Sequence, residues 1–393
     1  MNAGARKPIL SGLRVVELSA FVAAPLCGVT LAALGADVVR VDPPGGGIDI
    51  GRWPVVNGQS LYWAGLNQGK RSVAIDTRSV AGQARVTKLI TAPGDGAGIV
   101  VTNLPIASWN SYETLAKQRP DLIMVLITGK RSGASAVDYT VNAELGFPFV
   151  TGPEGHYGPV NHVLPAWDAL TGYLSAMAVL AAERHRRLTG EGQLVELSLA
   201  DVAIAVAGHL GFLAEAELVA QPRGRFGNYL YGTLGRDFLT RDHKYLIVLA
   251  LTPRQWTSLG EATGQTRRFA ELEANLRLDF RKEGDRWSGR REISELLGSW
   301  IADRDLANVG RTFDEKGVLW APYRTFKELV ATDEFSSAAN QMLSELEHPV
   351  VGRYTATGSP LRFGAAANLP ASTAPLLGQD TADVFREFGL DDE

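Results

Sequence analysis

The chain has 393 residues, 21% of them charged and 45% hydrophobic, with a formal net charge of −4. That length implies more than one core, and the slightly acidic balance excludes a whole-chain basic field for nucleic acid. The single cysteine, Cys27, excludes an intrachain disulfide and a multi-cysteine metal site; its apolar neighbours Ala23, Ala24, Pro25 and Leu26 predict that it packs in a core.

Residues 1–8 carry a basic pair with no apolar run behind it, so a secretory signal is not expected. The β-branched run 13–18 predicts a buried strand, 25–35 a helix closed by glycine, and 36–42 a second strand ending in Pro43, Pro44 and three glycines. Strand, helix, strand in that order predicts a parallel α/β unit with a right-handed crossover. Further strands at 72–76, 99–102 and 122–127, with a helix at 80–90, extend it to a Rossmann-like sheet over the first ~130 residues.

A long helix is expected over 168–188, ending in the cations of residues 184–187 and stopped by Gly190. A strand at 193–199 and an apolar helix at 200–218 follow. The apolar runs 169–182 and 202–214 are interrupted by Thr, Gly, Ser or His and fall short of a membrane span, so a cytoplasmic address is expected. The stretch from Pro222 to Tyr231 turns rich in Gly, Arg and Tyr and marks a boundary. The expected organisation is a large domain over 1–225, a smaller α+β domain over 226–330, and a segment 331–393 returning to the first. The smaller domain is assigned a strand at 245–251 and helices at 254–263, 291–302 and 306–316. No repeat or low-complexity segment is present.

The familiar α/β motifs fail. The first strand–helix turn, Ser19 to Pro25, lacks the G-x-G-x-x-G spacing of a dinucleotide site, and neither a P-loop nor a G-x-S-x-G elbow occurs. The six histidines have no metal-ligand spacing, so no metal is expected. Two features stand out. Lys70 and Arg71, in the block Asn67 to Ser72, are adjacent cations at the mouth of a strand and could hold phosphate together with Arg40; the bland alternative is a solvated basic turn. Asp168, after His162-Val163-Leu164-Pro165-Ala166-Trp167, is a carboxylate at a helix start in apolar surroundings. Such an acid is paired, protonated or used, unless it is simply the helix N-cap.

Residues 13–42, the Asn67-x-x-Lys70-Arg71-Ser72 block, the Trp167-Asp168 helix start, and Gly358-Ser359-Pro360 with Pro375-Leu376-Leu377-Gly378-Gln379 resemble, in that order, the class III CoA-transferases. The resemblance runs from about residue 10 to the C-terminus. It implies a Rossmann-like large domain built from both chain ends, a small domain between them, and two chains interlocked as a homodimer. It implies Asp168 as nucleophile and no tightly bound cofactor, coenzyme A arriving as part of the substrate. Long shared stretches (46–53, 63–75, 137–152, 160–193, 227–238 and 320–325) resemble members that move CoA between the C1 and C4 carboxyls of mesaconate. The partner implied is therefore the acyl-CoA thioester of a small dicarboxylic acid. The alternative is intermolecular transfer to a different acid.

Departures from the family pattern sharpen this. The racemases of the family use a His-Asp pair where this chain has Val137-Asp138, and a valine cannot shuttle an α-proton. Formyl-CoA transferases carry His and Gln where this chain has Ala20 and Val22, and a tetraglycine loop in the region of 227–232. The Asn-Phe-Arg-Pro-Gly block of many members is here Asn103-Leu104-Pro105-Ile106-Ala107, without the arginine. In the implied chemistry Asp168 forms first a mixed anhydride and then an aspartyl-CoA thioester. Helix N-terminal N–H groups are expected to favour its ionised form, and amides of the 227–232 loop to stabilise the oxyanions. Trp167, Tyr229 and Tyr231 are expected to exclude water, and Arg52 and Arg236, by charge alone, to anchor the freed dicarboxylate.

Overall fold

The computed structural model describes residues 6–221 and 223–390. The first five residues of the N-terminal stretch and Pro222, where the sequence marks a boundary, lie outside the described residues. The chain divides into two compact units. The first comprises Met1–Leu145, Val163–Ala214 and Thr332–Glu393; the second comprises Gly146–His162 and Glu215–Ala331. The division thus falls at Ala214 rather than at 225, and the short stretch before the Asp168 helix joins the second unit.

In the first unit six runs form one parallel sheet: β1 (Arg14–Leu18), β2 (Asp37–Asp42), β3 (Arg71–Ala74), β4 (Ile99–Thr102), β5 (Ile123–Thr128) and β6 (Gln193–Ser198). Their order across the sheet is β3-β2-β1-β4-β5-β6. The β-branched stretches are buried because helices cover a parallel sheet on both faces; Val16, Leu18, Val39, Val41, Val73 and Val100 share one core. The order reverses at β1, whose neighbours are β2 and β4. The loops leaving the carboxyl ends of β1 and β4 diverge there, which is where open α/β sheets take their ligands.

The helices that shape this edge are α1 (Ala23–Ala33), α2 (Leu61–Leu66), α3 (Val80–Thr91), α4 (Asp138–Glu144), α5 (Ala166–Thr189) and α6 (Leu199–His209). α5 packs along α1, and Gly172 permits the close approach. A Cβ there would lie 2.8 Å from the Ala23 carbonyl oxygen and 2.8 Å from Leu26 Cβ. The single helix expected over 200–218 is instead two, α6 and Phe212–Leu218, bent by 63°. Gly211 lies in the break, in a left-handed conformation (φ 81°) that a continuing helix cannot contain. Among the described residues no single helix is long and apolar enough to cross a membrane.

The C-terminal segment belongs to the first unit. Trp63 Nε1 donates to the Pro375 carbonyl (2.8 Å), the Ser72 N–H to Asp380 (2.8 Å), and the helix Thr381–Phe388 buries Val384 in the sheet's core. The second unit is built on a three-stranded antiparallel sheet, Leu319–Pro322, Tyr245–Ala250 and Leu234–Leu239, with helices Pro253–Thr263, Thr266–Leu276, Arg290–Ala302 and Leu306–Lys316. Phe238, Leu246, Val248, Phe280, Leu297 and Phe313 fill its core. The strand Leu234–Leu239 escapes sequence reading because Arg236 and Asp237 interrupt its apolar pattern.

Candidate active site

Two charges sit inside the otherwise apolar central strands, side by side in the register: Glu17 of β1 opposite Arg40 of β2. Buried charges persist only when paired, and these are. Arg40, 1% exposed, donates to Asp42 (2.9 and 3.0 Å), Asp49 (2.9 Å), Asn67 (3.2 Å) and the Ser19 carbonyl (3.3 Å). Lys70 Nζ donates to Glu17 (3.0 Å), Asn67 (2.9 Å) and the Pro25 carbonyl (2.9 Å). Burial pushes the Lys70 ammonium down to about 8, against the pull of Glu17. The Cys27 thiol, buried nearby, is pushed far up by burial and then by Glu17, and is no nucleophile.

This cluster fixes the turn that leaves β1. Asp49, held by Arg40, accepts the Phe21 N–H at 2.8 Å. Asn103, just beyond β4, closes the other side: its Oδ1 accepts the Ala20 N–H (2.9 Å) and its Nδ2 donates to the Ala20 carbonyl (2.7 Å). Phe21 is thereby set in a left-handed conformation (φ 65°), the residue 40% exposed.

Asp168 occupies the first turn of α5, whose N-cap is Pro165. It is not the cap expected as the bland reading. That work is done by Asp138, the first residue of α4, whose Oδ2 accepts the N–H of Trp167 (2.7 Å) and of Asp168 (3.1 Å). Asp138 is 1% exposed, and among the described residues its Oδ1 has no hydrogen-bond partner. The expectation that free helix N–H groups hold Asp168 ionised is therefore overturned, since those donors are spent on Asp138. Burial first, and then the Asp138 charge, raise Asp168 from 3.8 to about 6, with Arg52 pulling the other way. The result is a partly buried carboxylate that is mostly ionised at neutral pH and unusually basic. Trp167 is buried at 4% exposure and donates from Nε1 to Asn142 (3.3 Å).

Arg52 follows the 3₁₀ turn Ile48–Gly51, its N–H bound to the Asp49 carbonyl. Its guanidinium carbon lies 4.5 Å from the centre of the Tyr62 ring and 5.6 Å from that of Phe21. Its Nη1 is buried and, among the described residues, without a hydrogen-bond partner.

The structure separates the three cations expected to act together on phosphate. Arg40 and Lys70 share the buried cluster. Arg71 is instead paired with Asp37, at the start of β2, and with Glu387 (2.6 Å to each). Tyr229, Tyr231 and Arg236 lie in the second unit, apart from Asp168 in the division of the chain, and there they form one cluster. Arg236 Nη1 donates to the Tyr229 hydroxyl (2.8 Å), and Tyr231 stacks on Phe226 (5.5 Å) and meets Trp287 edge-on (5.2 Å). Sequence reading misses Glu17, Asp49 and the capping role of Asp138. Glu17 does leave a signal, a lone charge inside a buried strand.

A family model described as CoA-transferase family III matches residues 10–381. The chain is 55% identical over 383 residues to the 2-methylfumaryl-CoA isomerase of Chloroflexus aurantiacus, covering 97% of this chain and 94% of that one. It is 27% identical over 397 residues to the succinyl-CoA–D-citramalate CoA-transferase of the same organism, covering 96% and 94%. Among solved structures, a CAIB/BAIF family protein from Brucella suis superposes with a TM-score of 0.80 at 26% identity, covering 98% of this chain and all of that one. With the family model spanning both chain ends and a full-length relative sharing over half of its residues, the chain belongs to CoA-transferase family III.

Proposed function

We propose that this protein moves CoA between the C1 and C4 carboxyls of mesaconate, with Asp168 as the covalent nucleophile. The observation that carries the reaction is the 55% identity, over nearly the whole chain, to an enzyme named for 2-methylfumaryl-CoA isomerisation. The observation that favours Asp168 is its environment: a partly buried carboxylate raised to about 6 attacks a carbonyl carbon better than a solvated one.

Asp168 attacks the thioester carbonyl and the CoA thiolate leaves. The thiolate then attacks the aspartyl carbonyl of the mixed anhydride, giving an aspartyl-CoA thioester and free mesaconate. The other carboxylate of mesaconate attacks that thioester, the thiolate leaves again and then attacks the mesaconyl carbonyl of the second anhydride. CoA ends on the opposite carboxyl and Asp168 is restored. One thioester replaces another, so no ATP is needed. Coenzyme A enters with the substrate, and the reaction needs no tightly bound cofactor. Acyl-CoA substrates fit a cytoplasmic enzyme.

Arg40 and Lys70 act in this reading from inside the sheet, by holding the turn 19–22 beside the CoA path. Arg71 braces the edge. Tyr229, Tyr231 and Arg236 hold the aromatic loop of the second unit in one piece. The active form is an interlocked homodimer. This is supported by an apolar stripe along α5, Leu170, Tyr173, Leu174 and Met177 at helical spacing, all between 37% and 60% exposed.

The test is incubation with mesaconyl-C1-CoA and isotopically labelled free mesaconate, followed by mass spectrometry. Unlabelled C4-CoA product is expected. Labelled product would mean that the acid escapes and that transfer is intermolecular, and absence of product would remove mesaconate as substrate.

A further inference from the structure

Among the described residues the buried Nη1 of Arg52 donates to no acceptor. Most interior guanidinium groups in this chain are saturated; Arg40 is bound by four partners and Arg225 by three backbone carbonyls. Arg52 has instead two aromatic rings beside it and a buried Nη1 that finds no acceptor among the described residues. Rings hold a guanidinium plane in place while leaving its edge donors open. A buried donor left open costs stability unless something arrives to accept from it.

Its surroundings are also built with care. Asp49 ties the 3₁₀ turn before Arg52 to both Arg40 and the Phe21 N–H, so the buried ion cluster positions the arginine and one of its two rings together. Phe21 lies two residues before Ala23, whose carbonyl abuts Gly172 of α5. Gly172 is one helical turn beyond Asp168. The starts of α1 and α5 therefore lie at the same end of the sheet, and the Arg52 charge reaches Asp168.

We propose that Arg52 is the specificity-determining residue that grips the carboxylate not bonded to sulfur, so that the site accepts acyl groups of dicarboxylic acids. The proposal rests on the reading that acyl-CoA thioesters react at Asp168. A planar guanidinium edge matches a carboxylate, and a monocarboxylic acyl group would leave it unpaired.

The reaction that reads this directly is the first half of turnover, in which Asp168 takes CoA from the thioester and the acid is released as its carboxylate. The rate of CoA adduct formation on wild type and Arg52→Gln is measured by intact-protein mass spectrometry with mesaconyl-C1-CoA, succinyl-CoA and the monocarboxylic crotonyl-CoA. Wild type should favour the dicarboxylic thioesters by about 10- to 100-fold, the worth of one charge-assisted hydrogen-bond pair. Arg52→Gln should lose that preference, its rates with the two dicarboxylic thioesters falling about 10- to 100-fold further than its rate with crotonyl-CoA. Equal rates in wild type, an unaltered preference in Arg52→Gln, or an equal loss for all three thioesters would overturn the proposal. A succinyl preference lost in the variant, without mesaconyl turnover in wild type, would uphold Arg52 and remove mesaconate. A second measurement needs no variant: in wild type, free mesaconate should protect Arg52 from phenylglyoxal as read by peptide mapping, and crotonate should not. Equal protection by both acids counts against the proposal.

Discussion

Asp138 Oδ2 accepts the backbone N–H of Asp168 at 3.1 Å, so one aspartate caps the helix on which the other stands. This division of labour leaves the Asp168 carboxylate out of the helix-end hydrogen bonds and close to a second negative charge. Both effects push it toward the neutral form, and a carboxylate that is harder to ionise is a stronger nucleophile once ionised.

Replacing Asp138 by Asn keeps an oxygen for the two N–H groups and removes the charge. The acid limb of the kcat/KM–pH profile, set in wild type by Asp168 at about 6, should move to lower pH. Activity at neutral pH should stay within about tenfold of wild type. A pH–rate profile of both proteins checks this, and an unmoved limb would exclude Asp138 as a cause of the shift.

Asp168→Asn should abolish turnover by at least ~10³-fold, because the covalent route disappears. It should also alter stability in a pH-dependent way. The folded chain holds the Asp168 proton from 3.8 up to about 6, where the unfolded chain has released it. The stability contributed by this group is thus present below the unfolded value and lost as pH rises through the folded one. The variant should therefore melt higher than wild type at pH 7 to 8, on the order of 2 °C, with the gap closing towards pH 4. Melting curves across that range decide it.

Lys70→Met leaves Glu17 buried, with Arg40 3.6 Å away as its remaining cation and the Ser19 hydroxyl as a neutral donor at 2.6 Å. The cost should be about 3–5 kcal/mol, as for other buried pairs broken from one side. Adding Glu17→Gln should recover a large part of it. Denaturant unfolding of the single and double variants measures the coupling, and additive losses would show that the two residues do not act as a pair.

Tyr173→Glu combined with Met177→Glu places two charges on the apolar stripe of α5, where the wild-type side chains are 52% and 60% exposed. The outward positions tolerate charge in a single chain, so if the proposed dimer forms through this stripe, wild type should run as a dimer and the double variant as a monomer in light scattering after gel filtration. A dimer that survives both substitutions would place the second copy elsewhere.

The sequence by itself determined the central sheet. Its strands are short β-branched runs buried on both faces, and that pattern survives any arrangement of neighbours; the strand Ile99–Thr102 is read from it to the residue. It also marked Asp168, because a carboxylate beside Trp167 at the head of an apolar helix is anomalous wherever the helix packs. Tertiary structure alone decided what surrounds that carboxylate. Asp138 is 30 residues away in the chain, and its capping role depends on how α4 meets α5. The phosphate role expected for Arg40 and Lys70 was drawn from charge alone, whereas the register that sets Glu17 beside Arg40 pairs these cations inside the sheet. Arg52 is named as a dicarboxylate anchor by charge alone; only the fold sets it beside Tyr62 and Phe21 with a buried donor unfilled among the described residues. Periodicity records which side of an element is buried. It does not record which distant charge is buried beside it, and at this site burial together with the distant Asp138 charge sets the basicity of Asp168.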